Sequence, residues 1–191
     1  MQYATLGSAG FPVSRIGFGA WAIGADWGDV TEEDAMAALH TALDAGITFF
    51  DTADVYGGGV SERCIASFVR DNPSEFTIAT KGGIRRDKQT NRRYFDNSEE
   101  HLRFALEKSL TDLGVEHVAL YYIHRREAER PIEDTMQTLV RVKDEGKIGG
   151  IGFSEISPAT LRRAHAVHPV TAVQNEYSLW SRMPDLGLIR A

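Results

Sequence analysis

The chain has 191 residues, 42% of them hydrophobic and 25% charged, with a net charge of −6 and a single cysteine, Cys64. That is room for one substantial core or two small ones, and the composition is that of an ordinary water-soluble globular protein. The acidic balance argues against a broad nucleic-acid footprint, one cysteine excludes an internal disulfide framework, and no apolar run approaches the ~18 residues of a membrane span. The first ten residues, MQYATLGSAG, lack a basic stretch followed by an apolar run, so no secretory signal is read and a cytoplasmic location is expected.

In chain order, YATLGSAGFPVS reads as a β-hairpin with a Gly-Ser turn, and RIGFGAW as a first strand. Then a unit begins to repeat. In TEEDAMAALHTALDAGITFFD, Thr31 is an N-cap candidate, and Ala35, Ala38, Leu39, Ala42 and Leu43 share one helical face. Gly46 stops that helix because it takes the left-handed conformation cheaply, and ITFF follows as a short apolar strand. Ser61 reads as the cap of a helix with Ile65, Phe68 and Val69 inward, leading to FTIAT. SEEHLRFALEKSLTDLG places Leu102, Ala105, Leu106, Ser109, Leu110 and Leu113 on one face before VALYYI. Pro131 suits the first turn of a helix through Ile132, Met136, Leu139 and Val140, with Gly146 before IGGIGF. Ser157-Pro158 opens a helix through Leu161 and Ala164 that leads to TAVQNEY, and a sixth helix is expected near Pro184.

Strands are therefore predicted near 16–21, 47–51, 76–80, 118–123, 148–153 and 171–176, alternating with five helices across one domain, 1–191. Apolar strands alternating with amphipathic helices imply a parallel sheet covered by helices. An open doubly wound sheet and a (β/α)₈ TIM barrel share this grammar. GFGAWA (Gly17–Ala22) matches the loose dinucleotide fingerprint, and Asp51 ends the second strand where a ribose-binding acid would sit. That fingerprint needs its helix to start at the glycines; here IGADWGDVT, nine residues including Trp27, intervenes. Six units are too few to close an eight-fold barrel, which typically takes about 250 residues.

The second strand ends on Asp51, the third on Lys81, the fourth on His124 and the fifth on Ser154, and Tyr56 lies just beyond the second. Each has an ordinary reading: a turn cap, an exposed lysine, a core histidine, loop packing. In a parallel barrel, however, all C-terminal strand ends lie on one face, where chemistry is built. A tyrosine's pKa is near 10, a nearby ammonium lowers it, and a carboxylate holds the ammonium in place. With a histidine to orient a carbonyl oxygen, Asp–Lys–Tyr forms a general-acid assembly. None of the six histidines forms an H-x-x-x-H pair or a cluster, so no metal site is read. RRDKQTNRR (Arg85–Arg93) carries five basic residues and one acid; a phosphate contact or a lid competes with a plain solvated loop, the commoner use of such runs. Cys64 reads as a small buried hydrophobe.

GFGAW, GITFFDTADVYG, IATKGG, LGVEHVALYYIHR, GKIGGIGFSE and AVQNEYSLWSR, in this order, resemble the aldo-keto reductase superfamily from the hairpin to about Arg182. The resemblance implies a (β/α)₈ TIM barrel, represented here by roughly its first six βα units after an N-terminal β-hairpin, an incomplete barrel. It implies NADPH-dependent reduction of a small-molecule carbonyl, with Asp51, Tyr56, Lys81 and His124 as catalytic tetrad and Tyr56 as proton donor. By the same resemblance, Ser154 and Gln174 contact the nicotinamide carboxamide. Gly19, Ala20 and Trp21 lie beside the cofactor NADP(H), with Asp51 also at its edge, and Trp21 lines the substrate pocket with Tyr56 and His124. Glu155 stands where many members carry Asn; it cannot donate amide hydrogen bonds, and that contact is not carried over. Trp180 and Arg182 resemble the loop after the sixth strand. About two further βα units complete such a barrel. Without them a truncated, non-catalytic or nucleotide-sensing fragment is the competing expectation, and the open barrel edges invite self-association.

Overall fold

The computed structural model describes residues 1–7, 10–24, 28–72, 76–87 and 89–191. Ser8 of the expected hairpin turn, Trp27 and Lys88 lie outside them. A two-stranded antiparallel hairpin, β1 (Tyr3–Thr5) and β2 (Pro12–Ser14), leads the chain. There follow β3 (Phe18–Gly19), α1 (Glu32–Asp44), β4 (Phe49–Asp51), α2 (Val60–Asp71) and β5 (Thr77–Gly82). A second hairpin, β6 (Ile84–Arg86) with β7 (Arg93–Phe95), precedes α3 (Glu99–Leu113) and β8 (Val118–Ile123). The chain continues through α4 (Ile132–Asp144), β9 (Ile148–Ser154), α5 (Pro158–Val167) and β10 (Ala172–Gln174).

Six strands pair in parallel in the order β10-β9-β8-β5-β4-β3. The order follows the chain without reversal. An open doubly wound sheet would switch direction about its first strand, so this is the curled sheet of a half-barrel. The helix signals act as the sequence indicates at both ends. Thr31 accepts from the Asp34 amide at 3.1 Å, and Ser157 accepts from the Thr160 amide at 3.2 Å. Beyond α1, α3 and α4, Gly46, Gly114 and Gly146 take φ of 81°, 67° and 80°.

Three expectations are corrected. Ser61 is not a cap: α2 begins at Val60, with Gly59 before it, and Ser61 is buried in its first turn. Pro131 is the residue before α4, one place outside the first turn. Near Pro184 there is only a 3-10 turn, Met183–Leu186, in place of a sixth helix.

Alternation along the strands divides the core. Ile78, Tyr121, Ile123, Ile151 and Phe153 face the helices, packing with Leu39, Ile65, Phe68, Leu106 and Met136. Ala79, Leu120 and Tyr122 face inward, joined by Phe49 and Ala172, with Leu6 and Phe11 from the leading hairpin segment against them. The same period of two carries the inner face to the strand ends: Phe49 to Asp51, Ala79 to Lys81, Tyr122 to His124, Ala172 to Gln174.

Candidate active site

Each expected residue thus arrives at one end of the sheet by strand geometry. Tyr56 needs a further device, because it follows β4 by five positions. A 3-10 turn over Tyr56–Gly59 holds it, in which Gly57, Gly58 and Gly59 take φ of 58°, 63° and 97°, a conformation that disfavours residues with a Cβ. A second 3-10 turn, Trp21–Gly24, lies against it, and the Trp21 and Tyr56 rings stack with centroids 6.1 Å apart at 22°. A hydroxyl relay ties these parts to α2: Thr52 Oγ1 donates to Ser61 Oγ at 2.9 Å, and Ser61 Oγ to the Ala20 carbonyl at 2.9 Å. Ala20 is buried and its amide donates to the Asp51 carbonyl at 2.8 Å, whereas Gly19 is exposed.

Lys81 is fully buried. Its ammonium is ion-paired with Asp51 Oδ1, donates to the Thr52 carbonyl at 2.8 Å and reaches the Tyr56 hydroxyl at 3.3 Å. Burial pulls the Lys81 pKa down, and the Asp51 carboxylate opposes that pull. The His124 ring meets the Tyr56 ring edge-on, with centroids 5.6 Å apart. Burial, then the charges of Lys81, Arg125 and Arg93, pull the His124 imidazole down to about 3, so it is neutral at physiological pH. A neutral imidazole beside a phenol can exchange one hydrogen bond with a carbonyl oxygen without becoming charged. His124 Nδ1 and Asp51 Oδ2 are enclosed and have no hydrogen-bond partner among the described residues.

Ser154 is buried at the end of β9, and half-buried Gln174 pairs with it in register across β10. Arg125, which sequence reasoning passed over, joins this side to the tetrad: its Nη1 donates to Ser154 Oγ at 2.9 Å and to the His124 carbonyl at 2.7 Å. The only signal for it was its position directly after a strand-end histidine. Glu155 has a left-handed conformation (φ 55°) and is taken up by the segment after β10, accepting from the Glu176 amide at 2.7 Å and from Asn175 Nδ2 at 3.2 Å. Trp180 and Arg182 are both exposed, and Arg182 stacks over Tyr177 at 5.3 Å.

Two further acids, Glu62 and the half-buried Asp54, interact with one another. Glu62 is fully enclosed and accepts from Thr80 Oγ1 at 2.6 Å. Asp54 Oδ1 is enclosed and has no hydrogen-bond partner among the described residues; burial first, then the Glu62 charge, push its carboxyl up to about 8. A cavity of about 650 Å³ is elsewhere, between Tyr3, Pro12, Thr48, Phe76 and His117 at the opposite ends of the strands; its described lining carries no cluster of reactive groups. Cys64 is half-buried, and burial raises its thiol pKa. Among the described residues no group of His, Cys, Asp and Glu is arranged to hold a metal ion, and no helix is long and apolar enough to cross a membrane.

Comparison with known proteins bears on the family and the fold. The Aldo/keto reductase family model matches residues 15–191. Probable aldo-keto reductase 1 of Glycine max is 43% identical over 184 residues, which is 95% of this chain and 53% of that protein. Aldo-keto reductase yakc [NADP(+)] of Schizosaccharomyces pombe is 40% identical over 184 residues, 94% of this chain and 54% of that protein. The chain thus spans about half the length of the curated relatives it matches. The glycerol dehydrogenase AKR11B4 of Gluconobacter oxydans superposes with a TM-score of 0.88 at 30% identity, covering 96% of this chain and 57% of that one. The aldo-keto reductase AKR11C1 of Bacillus halodurans, in its holo form, gives 0.88 at 28% identity, with 100% and 63% covered. The chain belongs to the aldo/keto reductase family.

Proposed function

We propose that the protein is an NADPH-dependent oxidoreductase that reduces small aldehydes or ketones to alcohols, within one aldo-keto reductase-like domain over residues 1–191. The observation that carries this reading is the buried Lys81, ion-paired to Asp51 and within 3.3 Å of the Tyr56 hydroxyl, with His124 at the ring edge. The donor set also fits the cofactor: a hydroxyl and an amide, Ser154 and Gln174, match a carboxamide, and the Gly19–Ala20–Trp21 segment offers an apolar wall beside Asp51. The choice of NADP follows the relative whose name carries NADP(+).

Bound there, the cofactor would supply the hydride for the carbonyl carbon. His124 fixes the carbonyl oxygen through Nε2, since Nδ1 is enclosed; Trp21 and Tyr56 wall the substrate, and Tyr56 gives that oxygen its proton. Lys81 stabilises the phenolate that results, and Asp51 keeps Lys81 charged. The test is NADPH consumption with small carbonyls by the wild-type chain and by Tyr56→Phe. Loss of the hydroxyl should cost turnover roughly 10²–10⁴-fold while leaving NADPH affinity within about threefold, since the missing proton acts in the transition state. Unchanged turnover in the variant removes Tyr56 from the donor role.

A second reading is a non-catalytic or nucleotide-sensing protein that self-associates through the outer strands of the described sheet, β3 and β10. It expects NADPH binding with no carbonyl-dependent consumption. In either case we propose a cytoplasmic protein with small-molecule partners, and the net charge of −6 speaks against a nucleic-acid partner.

A further inference from the structure

The basic run RRDKQTNRR folds into the β6–β7 hairpin, which stands beside the Tyr56 turn. Between them lies a cavity of about 380 Å³ lined by Asp54, Val55, Gly57, Gly58 and Ile84 together with Arg85, Arg86 and Arg93. That volume is within the ~300–1,000 Å³ of small-molecule sites.

The three arginines differ in what they face. Arg85 is committed: it is ion-paired with Asp96 at 2.9 Å and stacked over Tyr94 at 5.5 Å. Arg86 donates to the neutral Asn91 Oδ1 at 2.9 Å, which leaves its charge uncompensated. The Arg93 side chain has no hydrogen bond or ion pair among the described residues. Arg86 and Arg93 are directly opposite in the hairpin register, and like charges so placed are destabilising. Among the described ion pairs, neither Asp87 nor Asp54 is joined to Arg86 or Arg93, and the one acid paired on this hairpin, Asp96, is held by Arg85. Asp87 Oδ1 is taken by the Gln89 and Thr90 amides and the Thr90 hydroxyl. Asp54, with its carboxyl pushed up to about 8, is mainly protonated at neutral pH. Arg93 is also close enough to the tetrad for its charge to contribute to the lowering of the His124 pKa.

We propose that Arg93, with Arg86 beside it, forms an anion-binding subsite that selects carbonyl substrates bearing a carboxylate or phosphate within one small molecule's reach of Tyr56 and His124. It rests on the reductase reading above and names its substrate class. A guanidinium matches a carboxylate or phosphate with two parallel hydrogen bonds, and an anion between Arg86 and Arg93 turns their repulsion into a clamp. The anion belongs to the substrate and not to the cofactor. The carboxamide contacts Ser154 and Gln174 are on β9 and β10, whereas the hairpin follows β5, on the other side of β8.

The test titrates 4-formylbenzoate and its uncharged methyl ester into the chain by calorimetry, for wild type, Arg93→Gln, Arg93→Lys and Arg86→Gln, with NADPH titrated separately. Wild type should bind the acid about tenfold or more tighter than the ester, as expected for a charge-assisted pair. Arg93→Gln should reduce that preference to within about twofold, Arg93→Lys should keep part of it, and Arg86→Gln should weaken it less than Arg93→Gln. Equal binding of acid and ester by wild type, or a preference that survives Arg93→Gln, overturns the subsite. So does a loss in Arg93→Gln of NADPH affinity alone, which would assign the anion to the cofactor. Catalysis is scored apart. An Arg93-dependent preference without NADPH consumption supports the subsite and defeats the reductase reading. Consumption of NADPH with acid and ester alike, indifferent to Arg93, does the reverse.

Discussion

The Lys81 ammonium reaches the Tyr56 hydroxyl at 3.3 Å from within a side chain that is 1% exposed. Its only carboxylate partner among the described ion pairs is Asp51, 13% exposed. Breaking such a pair from one side leaves an uncompensated charge, which typically costs about 3–5 kcal/mol, whereas replacing both partners with apolar groups is far milder. Asp51→Asn should therefore destabilise the fold by that amount, and Asp51→Leu combined with Lys81→Met should recover most of it. Both variants should lose turnover. Urea unfolding of the two against wild type checks the first pair of outcomes, and a double variant as unstable as Asp51→Asn contradicts them.

His124 gives a pH signature of opposite kind to an ordinary histidine. Its folded pKa is lowered from 6.5 to about 3, so the unfolded chain binds the proton more tightly. Stability then rises with pH from about 3 to about 6.5 and gains nothing further from this group above that window. His124→Gln should flatten that rise. The same position predicts that turnover, if present, shows no His124 titration between about pH 5 and 8. A break near 6.5 in the rate profile that disappears in His124→Gln would contradict the neutral imidazole.

Asp54 works in the other direction. Its carboxyl is raised from 3.8 to about 8, so the folded chain holds a proton that the unfolded chain has lost. Its contribution is whole below about pH 4 and is lost as pH rises to about 8. Asp54→Asn keeps the shape and removes the titration. Stability of this variant should exceed wild type by more at pH 8 than at pH 4, with a difference of at least about 1 kcal/mol, less than one pKa unit's worth. Equal shifts at the two pH values would show that Asp54 does not hold its proton in the fold.

Gly24 is where the turn before Trp27 meets the turn that carries Tyr56. A Cβ there would lie 2.6 Å from the Gly57 nitrogen and 2.7 Å from the Tyr56 carbonyl carbon. Both neighbours are backbone and cannot rotate away, so the Tyr56 turn must move. Gly24→Ala should cost about 1–3 kcal/mol, as overpacking does, and should lower turnover by displacing the hydroxyl from Lys81. Thermal unfolding measures the first, and NADPH consumption the second. A variant as stable as wild type would mean that the turns are free to separate.

The frame of the half-barrel was legible because its signals are local and redundant. Thr31 and Ser157 cap their helices, Gly46, Gly114 and Gly146 end theirs, and apolar strands fall between. Parallel pairing then put Asp51, Lys81, His124 and Ser154 at one end without any long-range information. What escaped depended on tertiary contacts. Ser61 has the chemistry of a cap, but its hydroxyl is used across the fold on Thr52 and Ala20, and Gly59 takes the cap position. The β6–β7 hairpin has no apolar alternation, and pairing Arg86 with Arg93 is a register that charge alone opposes. Near Pro184 the sequence carries a helix start, yet the segment buries Pro184 and Leu188 while leaving Met183, Leu186 and Ile189 exposed, too narrow an apolar face to extend it.

Those exposed side chains argue for association. Leu179 is 98% exposed and Trp180 96%, close in sequence to Met183, Leu186 and Ile189, beyond an edge strand, β10, whose outer backbone groups are unpaired in the sheet. The other edge, β3, is two residues long. A short edge offers little template, whereas an edge next to a large apolar surface invites pairing with another chain. The chain should therefore associate with rising concentration over about 10–100 µM, where exposed apolar surface drives contact. Replacing Leu179 and Trp180 together by Glu removes apolar area without touching the buried core, and it adds repulsion between copies already carrying a net charge of −6. Sedimentation velocity across that range should show the wild type growing in mass and the double variant holding closer to the monomer. Wild type that remains a monomer throughout would place the open edge among those protected by the loop beyond β10, and the double variant would then change nothing.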